Sequence, residues 1–222
     1  MMSTLERNSV IWISVIALAA TSMVTANLAG MGGLSVASKM TASSAFVALA
    51  LTSGALTTRY GQVVLIALAL SWGGDLLLAG RSEQMFLIGL VSFLLAHVAY
   101  IIAFTLRGLD RKYAMIAFLP IALVSIQVSL WLAPYLPPEM VIPVRAYTVV
   151  ISLMVIAAFG ARGAGAPLLV PVGAMLFYFS DLSVATGQFV QTDFPNYVWG
   201  LPFYFAGQTL LALSVRADGR TS

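Results

Sequence analysis

Two aspartates lie inside stretches that otherwise read as lipid-spanning. Asp75 sits in Trp72-Gly-Gly-Asp75-Leu-Leu-Leu-Ala-Gly80 and Asp181 in Phe179-Ser-Asp181-Leu-Ser-Val-Ala-Thr-Gly187. On insertion scales a carboxylate near the bilayer centre costs roughly 2.5–3.5 kcal/mol, so a chain with two must compensate for them. Intramembrane carboxylates are functional by default for that reason. The plain alternative is a structural ion pair, or a carboxyl satisfied by serines and backbone groups. His97 is the single histidine. Two aspartates and an imidazole could do acid/base work or hold a metal ion, and His97 could equally be a hydrogen-bonded core residue. From residue types alone, the chain reads as a lipid-facing membrane protein with a buried carboxylate pair.

The elements that must carry these groups follow from composition. Of 222 residues, 60% are hydrophobic and 9% charged, with a mean hydropathy of +0.97. Soluble domains are about 25% charged. The fold class is therefore all-α, a polytopic membrane bundle, because helices satisfy their own backbone in lipid. The net charge of +3 is read as topogenic Lys and Arg, not as a nucleic-acid surface. There is no cysteine, which excludes disulfides, thiolate metal sites and cysteine nucleophiles. No cleavable signal stands out, and Val10–Leu28 is taken as part of the first span.

Charges and Gly/Pro punctuation give eight spans, at about 9–29, 37–57, 60–79, 84–106, 113–133, 140–160, 166–187 and 195–215. They form one domain over 1–222. Arg7, Arg59, Arg107, Arg111, Lys112, Arg162, Arg216 and Arg220 fall on one side, and Lys39, Arg81 and Arg145 on the other. That bias places both termini in the cytoplasm, in a bacterial cytoplasmic membrane.

An internal repeat is also visible. Lys39 precedes Asp75 by 36 residues, and Arg145 precedes Asp181 by 36. His97 follows Gly89 by the same spacing with which Gln208 follows Gly200. Halves of 1–110 and 111–222 would be a parallel duplication of four helices each. In this reading Lys39 and Arg145 begin their spans at the outer face. There they snorkel, bind a lipid phosphate or pair with the aspartates. His97, Tyr100, Tyr204 and Gln208 lie deeper, lining a cavity that opens outward. Phe86, Phe93, Tyr100 and Phe104 are read as packing, and the Gly32-Gly33 and Gly73-Gly74 pairs as close helix contacts.

At these residues the chain resembles the YhhN-like membrane proteins, whose animal members are lysoplasmalogenases. The resemblance rests on Lys39, Gly74-Asp75 and the run Phe86-Leu-Ile-Gly-Leu-Val-Ser-Phe-Leu-Leu-Ala-His97-Val-Ala-Tyr100. It continues in Gly173-Ala-Met-Leu-Phe-Tyr-Phe-Ser-Asp181 and Tyr204-Phe-Ala-Gly-Gln208, and so covers nearly the whole chain. One departure is Met40, where the family pattern has proline after the lysine.

The resemblance implies an intramembrane hydrolase that splits the vinyl ether of a lysoplasmalogen into fatty aldehyde and glycerophospho-base. The expected mechanism requires no cofactor, and no residue is assigned to a metal. Such hydrolysis needs an acid to protonate carbon, an anion beside the oxocarbenium ion and a base for water. Glycosidases meet a related demand with two carboxyls. Burial and mutual repulsion would keep one aspartate protonated. Asp75 and Asp181 are the expected acid/base pair, with His97 or Tyr100 orienting water. Lys39 and Arg145 would hold the phosphate, and Tyr147, Ser180, Tyr204 and Gln208 complete the substrate-binding set. The expected partners are this lysolipid and the bilayer, with no nucleic acid. Asparagine at either aspartate is expected to fold well, being cheaper to bury. Two other classes stay open. One is a metal-dependent lipid amide or ester hydrolase with Asp75, His97 and Asp181 as ligands. The other is a small lipid or solute transporter built from the two halves.

Overall fold

The computed structural model describes residues 4–80, 82–190 and 195–218. Arg81 and Arg220, both used in the charge count, lie outside them. Eight helices follow in chain order: α1 (Thr4–Leu28), α2 (Gly32–Thr52), α3 (Arg59–Leu78), α4 (Glu83–Leu106), α5 (Arg111–Leu132), α6 (Val141–Gly163), α7 (Leu169–Ala185) and α8 (Asn196–Asp218). Among the described residues there is no strand. Each helix is long and apolar enough to cross a membrane. The protein is an integral, multi-pass membrane protein of all-α class.

The boundaries follow local chemistry. Thr58, Ser82 and Asp110 cap α3, α4 and α5 by accepting the backbone N–H of Gly61, Met85 and Tyr113. α2 departs from the expected 37–57. A turn through Gly30 at φ +68° lets the helix begin at Gly32, and Gly54 at φ +93° follows its last turn. Lys39 is therefore not at the helix start. It lies two turns in, roughly 10 Å along the axis at 1.5 Å per residue.

Sequential helices pack as antiparallel hairpins, α1 with α2, α3 with α4, α5 with α6 and α7 with α8. The hairpins then interlock. α2 packs on α8 and α3, and α6 packs on α4 and α7. The close approaches are made by small residues. A Cβ at Gly173 would lie 3.0 Å from the Gly207 carbonyl oxygen, so α7 and α8 touch backbone to backbone there. Gly74 faces the Phe93 ring, where an added Cβ would come within 2.6 Å. Gly32 and Gly33 differ from expectation. Nothing lies within 4 Å of a Cβ at either, so they start a helix and do not mediate packing.

Candidate active site

The ends of the hairpins remote from the chain termini enclose a cavity of about 520 Å³. Its wall takes residues from α2 through α8. Lys39, Asp75, Tyr147, Ser180, Asp181 and Tyr204 all line it, so the two aspartates face one space. Phe86 and Phe93, read from sequence as packing, also line it.

Asp75 is 1% exposed and fully dressed. The Lys39 ammonium lies 3.1 Å from Oδ1. Ser43 Oγ donates to Oδ2 at 2.6 Å, and Tyr204 Oη donates to the same oxygen at 2.7 Å. Three donors, one of them a cation, describe an anionic carboxylate. Of the readings open for Lys39, pairing with an aspartate is the one observed. Ser43 was missed from sequence. Its signal was position, because it follows Lys39 by one helical turn and shares its face.

Asp181 is built differently. Tyr147 Oη donates to Oδ2. Ser180 Oγ lies 3.4 Å from Oδ1, and His97 Nε2 lies 3.4 Å from Oδ2. No Lys or Arg pairs with it among the described residues. Arg145, which stands to Asp181 in sequence as Lys39 stands to Asp75, is exposed and outside the cavity wall.

His97, Tyr100 and Gln208 are completely buried and stand behind the wall. His97 backs Asp181. Its ring meets Tyr147 edge-on at 5.2 Å and lies 4.6 Å from the Phe177 ring. Tyr100 Oη donates to Gln208 Oε1 at 2.6 Å, one turn below Tyr204 on α8. The Tyr204 ring is held by Phe46, Phe93 and Phe177 at 5.4–6.1 Å. The ring sequence Tyr204, Phe177, His97 thus links the partner of Asp75 to the partner of Asp181.

Two further wall residues, Gln188 and Asn196, were also missed. Gln188 belongs to a π-helical turn, Thr186–Val190, that prolongs α7. Asn196 opens α8 and accepts a hydrogen bond from Ser183 Oγ at 2.6 Å. Gly200 makes room for this contact, since a Cβ there would strike both groups. Among the described residues no three His, Asp or Glu gather as metal ligands.

The YhhN family model matches residues 34–215. The chain belongs to the YhhN family. The match runs from the start of α2 to the last turns of α8, and so contains every residue of the candidate site above. Similar proteins include the "Lysoplasmalogenase TMEM86B" of Sus scrofa, 32% identical over 132 residues. That alignment covers 60% of this chain and 54% of the relative. The protein of the same name from Rattus norvegicus is 34% identical over 138 residues, 61% of this chain and 55% of the relative. The chain thus spans about half the length of the curated relatives it matches. No solved structure matches.

Proposed function

We propose that this YhhN protein is an intramembrane hydrolase that cleaves the vinyl ether bond of lysoplasmalogens. The reading is supported by the names of its relatives and by two carboxyls of unequal surroundings on one cavity wall. Asp75 is locked to Lys39 as an anion. Asp181 has no Lys or Arg partner among the described residues and is the proton carrier.

Asp181 gives its proton to the β-carbon of the vinyl ether, whose π electrons form the new C–H bond. The α-carbon and ether oxygen then share the positive charge. The Asp75 carboxylate stabilises that oxocarbenium ion electrostatically. Water adds to the α-carbon, and its proton returns to Asp181, with His97 and Tyr147 holding that carboxyl in position. The hemiacetal collapses as its hydroxyl proton passes to the glycerol oxygen. The C–O bond breaks, and fatty aldehyde and glycerophospho-base leave. One water is consumed and Asp181 is regenerated as the acid.

The phosphate sits at the mouth, near Asn196 and Gln188, with Arg145 available from the rim. Tyr100 and Gln208 act through Tyr204. The termini are cytoplasmic, the membrane is a bacterial cytoplasmic one, and the two four-helix halves arose by duplication. The interlocking of α2 with α8 and of α6 with α4 supports that last point, since each is a second helix of one half against the fourth of the other.

The test is mass spectrometry of products from pure protein given a lysoplasmalogen, the matched ester lysolipid and the matched alkyl-ether lysolipid. Only the first should yield product, as an aldehyde. Release of fatty acid from the ester at a comparable rate would replace this reading with acyl hydrolysis.

A further inference from the structure

The side of the cavity between α5 and α7 forms a largely aliphatic arm. Its walls are Val128 and Leu132 on α5, Val144 and Ile151 on α6, and Leu182 and Ala185 on α7. α5 packs along α6, and of the eight membrane spans its own is the least buried. It meets α7 at a hydrogen bond between Ser125 and Tyr178, 3.0 Å long. Ser125 also bonds Ser152 of α6 at 2.6 Å. These three hydroxyls stitch α5, α6 and α7 together at one level. Val128 and Leu132 lie one and two turns above that level on α5, and Leu182 lies one turn above it on α7. Above the stitch, the space between α5 and α7 belongs to the cavity.

We infer that the hydrocarbon tail of the substrate leaves the cavity through the seam between α5 and α7, with Tyr178 and Ser125 as the floor that turns it outward. The inference rests on the lysolipid reading above. A 520 Å³ cavity is of ordinary small-ligand size. It must already hold a glycerophospho-base and the reacting carbons, so a long tail needs an exit. Downward the exit is closed by polar hydroxyls that are bonded to one another, and opening them would leave unpaired groups in an apolar region. Sideways lie largely aliphatic walls, with the Thr148 hydroxyl bonded to the Val144 carbonyl of its own helix, and then lipid, in which each methylene of the tail is as well solvated as in the bilayer. Val128 and Leu182 are then specificity-determining residues for tail length. A short tail ends inside the arm, and a long one passes between them.

The cysteine-free chain makes the test direct. Val128→Cys is exposed to a membrane-permeant maleimide with alkyl-ether lysolipids of short or long tail, at matched concentrations below micelle formation. The long-tailed analogue should slow labelling, and the short-tailed one should not. Leu123→Cys, on the exposed face of α5, should label equally under all conditions. Leu132→Cys repeats the measurement one turn further out, should the first variant fold poorly. After Val128→Cys is capped with a benzyl maleimide, kcat/KM should fall about tenfold or more for a long-tailed lysoplasmalogen. That corresponds to the loss of roughly two buried methylenes. The short-tailed substrate should be little affected. Protection independent of tail length, or equal loss for both substrates, overturns the exit. Absence of turnover by unmodified protein instead refutes the proposed hydrolysis, while the labelling assay still reads the seam.

Discussion

Tyr204 Oη donates to Asp75 Oδ2 at 2.7 Å across 129 residues of sequence, joining the last helix to the third. With Lys39 and Ser43 from α2, it gives a buried carboxylate three partners from two other helices. A carboxylate held in this way ties α2, α3 and α8 together.

Asp75→Asn should destabilise the protein, contrary to the expectation that an amide at this position is simply cheaper to bury. The substitution leaves the Lys39 ammonium, 14% exposed, without its counter-charge. Removing one member of a buried pair typically costs about 3–5 kcal/mol, and Lys39 is near enough to the cavity to recover part of that. Thermal unfolding in detergent should show a clear fall in Tm. Lys39→Met in the same chain should restore much of it. Additive losses in the double variant would show that the pair does not stabilise the fold.

Asp181→Asn should behave in the opposite way. Among the described residues it removes no counter-ion from a lysine or arginine, so Tm should hold. Turnover of lysoplasmalogen should fall by about 10²–10⁴-fold, the range for loss of a general acid or base. Tyr147→Phe and His97→Ala should each reduce kcat less than Asp181→Asn, because each only positions the carboxyl. A His97→Ala loss as large as that of Asp181→Asn would move the proton-carrying role to the imidazole.

The saturated alkyl-ether lysolipid should be a competitive inhibitor that is never cleaved. It keeps the phosphate, the glycerol and the tail but has no π bond to accept a proton at carbon. Steady-state inhibition against lysoplasmalogen reads this directly. Slow release of fatty alcohol from the analogue would exclude protonation at carbon as the obligatory step.

Cysteines introduced at Ser3 and Thr221, positions outside the described residues, should resist an impermeant thiol reagent in intact cells. The basis is the distribution of eight basic residues on the terminal side against three on the other. Reaction at both positions would invert the topology and open the cavity to the inner leaflet.

The sequence by itself determined the class of fold and the number of spans. Hydropathy in a long apolar run is a sum over many residues, so local errors cancel, and helices are the open-ended solution for backbone in lipid. It also singled out polar residues that need partners in lipid, because a charge in such a run is conspicuous. Asp75, Asp181 and His97 were legible for that reason. The YhhN resemblance was legible through short runs such as Gly74-Asp75 and Ala96-His97. The five-residue slide of α2 was not, since it turned on the conformation of Gly30, and with it went the depth of Lys39.

Only the tertiary structure decided who partners whom. Lys39 and Arg145 look equivalent along the chain, yet Lys39 reaches Asp75 and Arg145 stays on the exposed face. Tyr204 and Ser43 meet on Asp75 because α8 packs against both α2 and α3. His97 meets Asp181 because α4 and α7 both approach α6, where Tyr147 contacts each of them. Hydrophobic periodicity sets how a helix lies relative to lipid and says little about its azimuth toward a particular neighbour. In lipid that azimuth is set by close contacts such as Gly173 on Gly207, which are a property of pairs of helices and not of either one alone.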